Sequence, residues 1–235
     1  MIAADLGVFS DALQFVVDER TLILEKTWEH VQLSGAAIGI ALLVALPVGA
    51  WLGHVHRGSF VAINLANVGR ALPSLAVIAI GLAFLGIGFA NVTLALVVLA
   101  VPPILTNAYV AVDGVEPDAV EAARGMGMTK GQILRRVELP MALPLIFAGI
   151  RTAVVFVVAT ATIAAVAGGG GLGDIIVNRA AYGLEGVVGA AICVSLLALA
   201  ADFALGLVQR LLTPAGLRAG VHALEPDVTT GVTRL

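Results

Sequence analysis

Charge is scarce in this sequence. Of 235 residues, 12% are Asp, Glu, Lys or Arg, where a soluble domain carries about 25%. Cysteine is almost absent: Cys193 is the only one and lies in an apolar run, so no intrachain disulfide can form and the side chain reads as a small packing residue. No G-x-x-x-x-G-K-[ST] string occurs, so the chain cannot cradle nucleotide phosphates in the P-loop manner. The stretch GMGMTKG has glycines and a lysine but the wrong spacing. The four histidines, His30, His54, His56 and His222, have no Cys, Asp or Glu at metal-ligand spacing. They read as residues of span ends and tail, and no catalytic constellation accompanies them. The N-terminus lacks the basic start and cleavage pattern of a secretory signal.

What is abundant is apolar sequence: 60% hydrophobic residues and a mean hydropathy of +1.03. A membrane-spanning helix needs roughly 20 mostly apolar residues, and five stretches meet that need, at about 31–53, 61–89, 91–112, 142–167 and 186–212. Polar faces at helical spacing are missing from most of them, which argues against a soluble bundle. The expected class is therefore all-α and polytopic. Small residues crowd the spans, as in GAAIGIALLVALPVGA and TAVVFVVATATIAAVAG, and in lipid they let helices approach closely. Pro47 and Pro73 are expected to bend their helices. Pro102–Pro103 interrupts the hydrogen-bond ladder of the third span, either as a kink or where something polar passes.

Five crossings put the termini on opposite sides. With the N-terminus outside, the inner segments hold eight basic residues: Arg57, Arg124, Lys130, Arg135, Arg136, Arg210, Arg218 and Arg234. The outer segments hold three, Arg20, Lys26 and Arg179, and this asymmetry follows the positive-inside rule. Arg70 marks the inner end of the second span. Residues 1–30, with Asp5, Asp11, Asp18, Glu19, Glu25 and Glu29 among Leu, Phe and Val, read as an extracytoplasmic, amphipathic surface helix. Residues 213–235 read as a cytoplasmic tail.

Between the third and fourth spans lies a polar, cytoplasmic segment, 113–141. Pro117 suits a first helical turn, and Asp118 and Glu121 favour its positive end. Ala119, Ala122 and Ala123 continue the helix, and Gly125 and Gly127 stop it after about two turns. Thr129 and Gln132 form a capping box for a second helix, QILRRVEL, which Leu139–Pro140 ends. Two capped helices are more than a loop requires, and a small-faced helix across a membrane surface suits a groove on a soluble partner.

Within the spans two charges stand out. Arg151 lies about 10 residues, or about 15 Å, into the fourth helix, and Asp202 lies at similar depth in the fifth. They form an ion pair locking two helices, serve the substrate route, or snorkel to the inner surface. Thr106, Asn107 and Tyr109 follow the double proline and are candidates for lining a route.

The polar segment carries a resemblance. Glu121-Ala122-Ala123, three residues, Gly127, nine residues, Val137, one residue and Leu139-Pro140 resembles the signature of permease subunits of bacterial ABC importers, departing from it only by Val for Ile. PSLAVIAI, PPILTN, EHVQLSG and GGGGLGD resemble the branch that imports osmoprotectants such as glycine betaine, choline and carnitine, and the likeness extends from about Glu29 to Leu212.

The resemblance implies the five-helix core of the methionine-permease-like type, in the bacterial cell membrane, with a cytoplasmic coupling helix. Glu121, Ala122, Ala123, Arg124, Gly127, Leu139 and Pro140 would dock on the ATPase, with Gly127 leaving no room for a side chain there. The implied partners are two copies of a cytoplasmic ATPase carrying ATP and Mg, a second permease, identical or related, and an extracytoplasmic substrate-binding protein. Nothing implies nucleic acid or a cofactor bound by this chain. Gly169, Gly170, Gly171 and Gly173 would face the binding protein, or simply form a flexible connection. With 5% aromatic residues, an aromatic cage for a quaternary ammonium group is not expected in this chain. Methionine or another small polar solute is the alternative cargo, and an ion-coupled secondary transporter the alternative class.

Overall fold

The computed structural model describes residues 2–214. The tail beyond Pro214, with Arg218, His222 and Arg234, and the Arg70 side chain lie outside the described residues. Among the described residues there is no strand: in lipid a helix satisfies its backbone groups internally, and the apolar runs take that solution.

Helix α1 covers Ile2–Asp18, and α2 runs from Arg20 to His54 without a break at Pro47. The helix that carries the first apolar span thus begins before residue 31. Its 35 residues extend about 50 Å, against a hydrocarbon core of about 30 Å, so its polar first turns project beyond the apolar part. Rather than lying apart on a surface, α1 packs lengthwise on the last helix. The Ala12 carbonyl approaches Gly189, and the Phe15 ring meets Tyr182 edge-on at 6.4 Å.

The second expected span is two helices, α3 (Ser59–Ala71) and α4 (Ser74–Leu85), of 13 and 12 residues. Leu72, before Pro73, is extended at φ −72° and ψ 117°, the conformation that a following proline ring imposes. Among the described residues, four helical runs are long and apolar enough to cross a membrane: Arg20–His54, Phe89–Asp113, Lys130–Ala161 and Arg179–Leu212. The stretch expected as the second span, 61–89, holds α3 and α4 instead, neither of them long enough to count among these runs.

Helix α5 (Phe89–Asp113) stays helical through Pro102–Pro103, so the double proline removes hydrogen bonds without unwinding the chain. Helices α6 (Pro117–Gly125) and α7 (Lys130–Ile133) follow. The second polar helix does not end at Leu139–Pro140 as expected. It widens into a π-helical turn, Leu134–Glu138, and runs into α8 (Leu139–Ala161), with Pro140 in its first turn. A regular α-helix would set the Pro140 ring against the Arg136 carbonyl, and the widened turn lies over those residues. Beyond a 3₁₀ segment, Thr162–Ala167, come α9 (Gly173–Val177) and α10 (Arg179–Leu212).

Helix α5 forms the centre, packed against α2, α3, α4 and α8. Along α2 the residues Ala37, Ala41, Ala45, Gly49 and Gly53 recur every fourth position and are buried. A Cβ at Gly49 would meet the Leu105 carbonyl oxygen at 2.5 Å, and one at Gly53 would meet that of Tyr109 at 2.7 Å. The stripe lets the two backbones touch, the close packing that holds helices together in lipid. Helix α10 is the edge member, with almost none of its apolar stretch buried.

Candidate functional site

The polar segment sits at the end of the bundle where α2 and α5 finish and α8 begins. Pro117 opens α6. A Schellman motif closes it: the Gly127 N–H donates to the Arg124 carbonyl at 2.9 Å, and the Met128 N–H to that of Ala123 at 3.1 Å. Gly127 has φ +79°, the left-handed value this motif requires. The Thr129 N–H donates to Gln132 Oε1 at 2.8 Å, the reciprocal arm of the capping box.

The residues that the signature implies for docking divide between two faces. Glu121, Ala122, Arg124 and Gly127 are exposed, with Met126 beside them. Ala123 is only 1% exposed and belongs with Val120 and Ile133 to the hydrophobic cluster under the segment. Its side chain faces inward, toward the bundle. Leu139 and Pro140 are half-buried at the start of α8.

Two histidine pairs flank this segment. His54 Nδ1 lies 2.6 Å from Glu138 Oε2, and His56 Nδ1 lies 2.8 Å from Asp113 Oδ1. The Tyr109 hydroxyl donates to Asp113 Oδ2 at 3.3 Å. H-V-H alone gave no sign of these partners, which come from elements 57 and 84 positions away.

Thr106 and Asn107 border a cavity of about 710 Å³, together with Gly69, Ser74, Pro103 and Thr152, beside the α3–α4 break. Both side chains also bond to backbone: Thr106 Oγ1 donates to the Ala62 carbonyl at 3.2 Å, and Asn107 Nδ2 to that of Pro103 at 2.8 Å. Tyr109 does not join them. It is buried in the core, its hydroxyl engaged by Asp113, on the opposite side of α5 from Asn107.

Arg151 and Asp202 face each other across α8 and α10. Arg151 Nε donates to Asp202 Oδ1 at 2.7 Å and Nη2 to Oδ2 at 2.6 Å, the two-pronged arrangement that a planar guanidinium makes with a carboxylate.

At the opposite end of the bundle the glycine-rich turn is tied down. Gly168, Gly170 and Gly171 have φ of +70°, +77° and +84°. The Gly171 N–H donates to Glu29 Oε2 at 2.8 Å, and Lys26 Nζ donates to Glu29 at 2.9 Å and to Asp174 at 2.8 Å. Gly171 and Gly173 are buried, since a Cβ on Gly171 would press on His30 and one on Gly173 would strike the Thr162 carbonyl. Their glycines serve close packing and present nothing outward. Gly169 and Gly170 remain half-buried on the rim of a hollow of about 320 Å³. His30 is not interfacial: it is buried, and its Nε2 lies 2.9 Å from the Val158 carbonyl oxygen. Charges in the first turns of α2 gave no warning of this network, because three of its members come from one helix and the rest from residues about 140 positions later.

Comparison with known proteins agrees with this architecture. Residues 37–214 match the family model of binding-protein-dependent transport system inner membrane components. A choline transport system permease protein of Bacillus subtilis (strain 168) is 39% identical over 207 residues, covering 88% of this chain and 95% of that protein. A carnitine transport permease protein of Listeria monocytogenes is 40% identical over 197 residues, covering 83% and 90%. A glycine betaine/carnitine/choline transport system permease protein of B. subtilis is 39% identical over 197 residues, covering 83% and 91%. Among solved structures, a chain of the inward-facing MetNI methionine ABC transporter superposes with a TM-score of 0.72 at 24% identity, over 83% of this chain and 98% of that one. At that identity the likeness concerns the fold.

Proposed function

The chain belongs to the binding-protein-dependent transport system inner membrane components, and from that premise we propose that it imports osmoprotectants such as choline, carnitine or glycine betaine as the permease subunit of an ATP-driven transporter. It is a multi-pass membrane protein and a transport component. The observation that carries the reading is the anchored helix α6. Val120 and Ala123 seat it in the bundle, while Glu121, Ala122 and Arg124 stand free on the other face. Such a helix can receive a push from a soluble neighbour and pass it on.

In this reading two cytoplasmic ATPases hold ATP and Mg, and closure of that pair displaces α6. The helices of this chain and of a second permease then swing between inward and outward openings. An extracytoplasmic binding protein delivers the solute, and the cavity at Thr106 and Asn107 lies on its route. The N-terminus is outside, and the polar segment faces the cytoplasm.

The test is reconstitution in lipid vesicles with the ATPase and the binding protein. ATP-dependent uptake of labelled choline, carnitine or glycine betaine is expected, with hydrolysis stimulated by the loaded binding protein. Uptake of methionine in place of these solutes would overturn the cargo, and ATP-independent uptake would overturn the class.

A further inference from the structure

The corner at the end of α2, His54–Arg57, holds both ends of the docking segment. His54 pairs with Glu138, the last residue before α8, and His56 pairs with Asp113, the last residue of α5. The segment leaves the bundle after Asp113 and re-enters it after Glu138, so one corner closes on its entry and its exit. We propose that His54 and His56 form a double clasp that makes α2, α5 and α8 move as one body with the docking segment, acting as positioning residues for coupling. This rests on the permease reading above.

Three features mark the corner as more than a loop with incidental contacts. Glu138 is 2% exposed, and a buried carboxylate is costly to keep unless paired. Its flanking positions, Val137 and Leu139, pack on the hydrophobic cluster, so an apolar residue would suit the site if packing alone mattered. His56 has φ +50°, the one non-glycine residue with positive φ among the described residues. A left-handed side chain persists only where its surroundings hold it, and here it directs Nδ1 to Asp113. Lastly, Glu138 is set by the π-helical turn, and such turns mark places where a helix is locally re-aimed.

The mechanical consequence follows from the packing. Helix α2 already touches α5 backbone to backbone at Gly49 and Gly53. The hydrophobic seat under α6 can slide, whereas a hydrogen bond between an imidazole and a carboxylate is directional. With the clasp closed, displacement of the docking segment reaches three helices together. With it open, the segment moves on its apolar seat and part of the stroke is lost.

The experiment uses the complete reconstituted transporter with its ATPase and binding protein, reading solute transported per ATP hydrolysed. For His54→Ala and for Glu138→Ala we expect the ratio to fall about five-fold, within the range by which residues on a coupling network act. The ATPase should copurify at the wild-type ratio. The double variant should be no worse than either single one, as for two residues that act as a pair, and Glu138→Gln, which keeps a hydrogen-bonding side chain, should restore more than half the ratio. His56→Ala should cost about two-fold, since its pair is exposed and screened by salt. An unchanged ratio in the alanine variants, or losses that multiply in the double variant, overturns the clasp. Should Glu138→Ala fail to fold, Asp113→Ala and His56→Ala decide it, an unchanged ratio in both counting against the clasp. If the wild-type complex does not retain its ATPase, the permease reading itself fails, a result distinct from the clasp's failure.

Discussion

Gly127 shows how one backbone angle can carry a recognition motif. A Cβ at this position would meet no other part of the chain within 4 Å, so crowding inside the protein does not explain the glycine. The φ of +79° does: an L side chain there costs about 1–2 kcal/mol, with asparagine the best-tolerated substitute. Two explanations for a glycine thus make different predictions. If the turn alone matters, Gly127→Ala lowers ATPase copurification while Gly127→Asn largely keeps it. If a partner surface lies against the glycine, both variants lose the ATPase, and Asn, being larger, loses more. Copurification of the two variants side by side separates these outcomes, and the expected result is the first. The need for glycine was legible in the sequence from its place after EAARGM; the reason was not, since φ is invisible in a one-letter string. Arg151 and Asp202 were legible in the same way, because unpaired charge is expensive within a span. His54 with Glu138 was not, for a partner 84 residues distant leaves no local trace.

At the scale of whole helices, the governing feature is contact between backbones. On α2, Gly35, Gly39, Gly49 and Gly53 look alike in sequence, but a Cβ at Gly35 or Gly39 would meet nothing, whereas one at Gly49 or Gly53 would run into α5. Gly35→Ala and Gly39→Ala are therefore expected to be neutral or to stabilise by up to about 1 kcal/mol through helix propensity. Gly49→Val and Gly53→Val should lower the melting temperature of the purified protein and reduce its yield, because the helices must separate. Equal melting temperatures for both sets would show that the stripe is not the seat. The same contacts explain why prolines were ambiguous. Pro47 lies between Ala45 and Gly49, where α5 braces α2 on either side, and the helix continues. Pro73 lies between two short helices that meet α5 over less of their length, and there the chain breaks. A proline announces lost hydrogen bonds, but packing decides whether the helix survives. The start of α2 was not legible for a related reason: the apolar run ends where Glu25, Lys26 and Glu29 lie, while helical hydrogen bonding continues to Arg20.

For the whole molecule the open question of sense is which end faces the cytoplasm. The two ends differ in kind. One holds the corner 54–57 and the docking segment, with Arg57, Arg124, Lys130, Arg135 and Arg136, and α10 returns to it with Arg210. The other holds Arg20, Lys26 and Arg179, and Lys26 is bound by two carboxylates, Glu29 and Asp174. Basic residues in short connections stay on the cytoplasmic side, and a lysine already neutralised adds little to the opposing end. The charge asymmetry therefore predicts that the polar segment faces the cytoplasm and the glycine turn the exterior. A labelling experiment checks the assignment. In a Cys193→Ser background, a cysteine at Gly125 should react with a membrane-impermeant thiol reagent only in inverted vesicles. A cysteine at Gly169, half-buried on the rim beside Lys26, should react in intact cells. Reaction of the Gly125 cysteine from outside would put the docking helix out of reach of any nucleotide-hydrolysing partner and remove the basis for coupling.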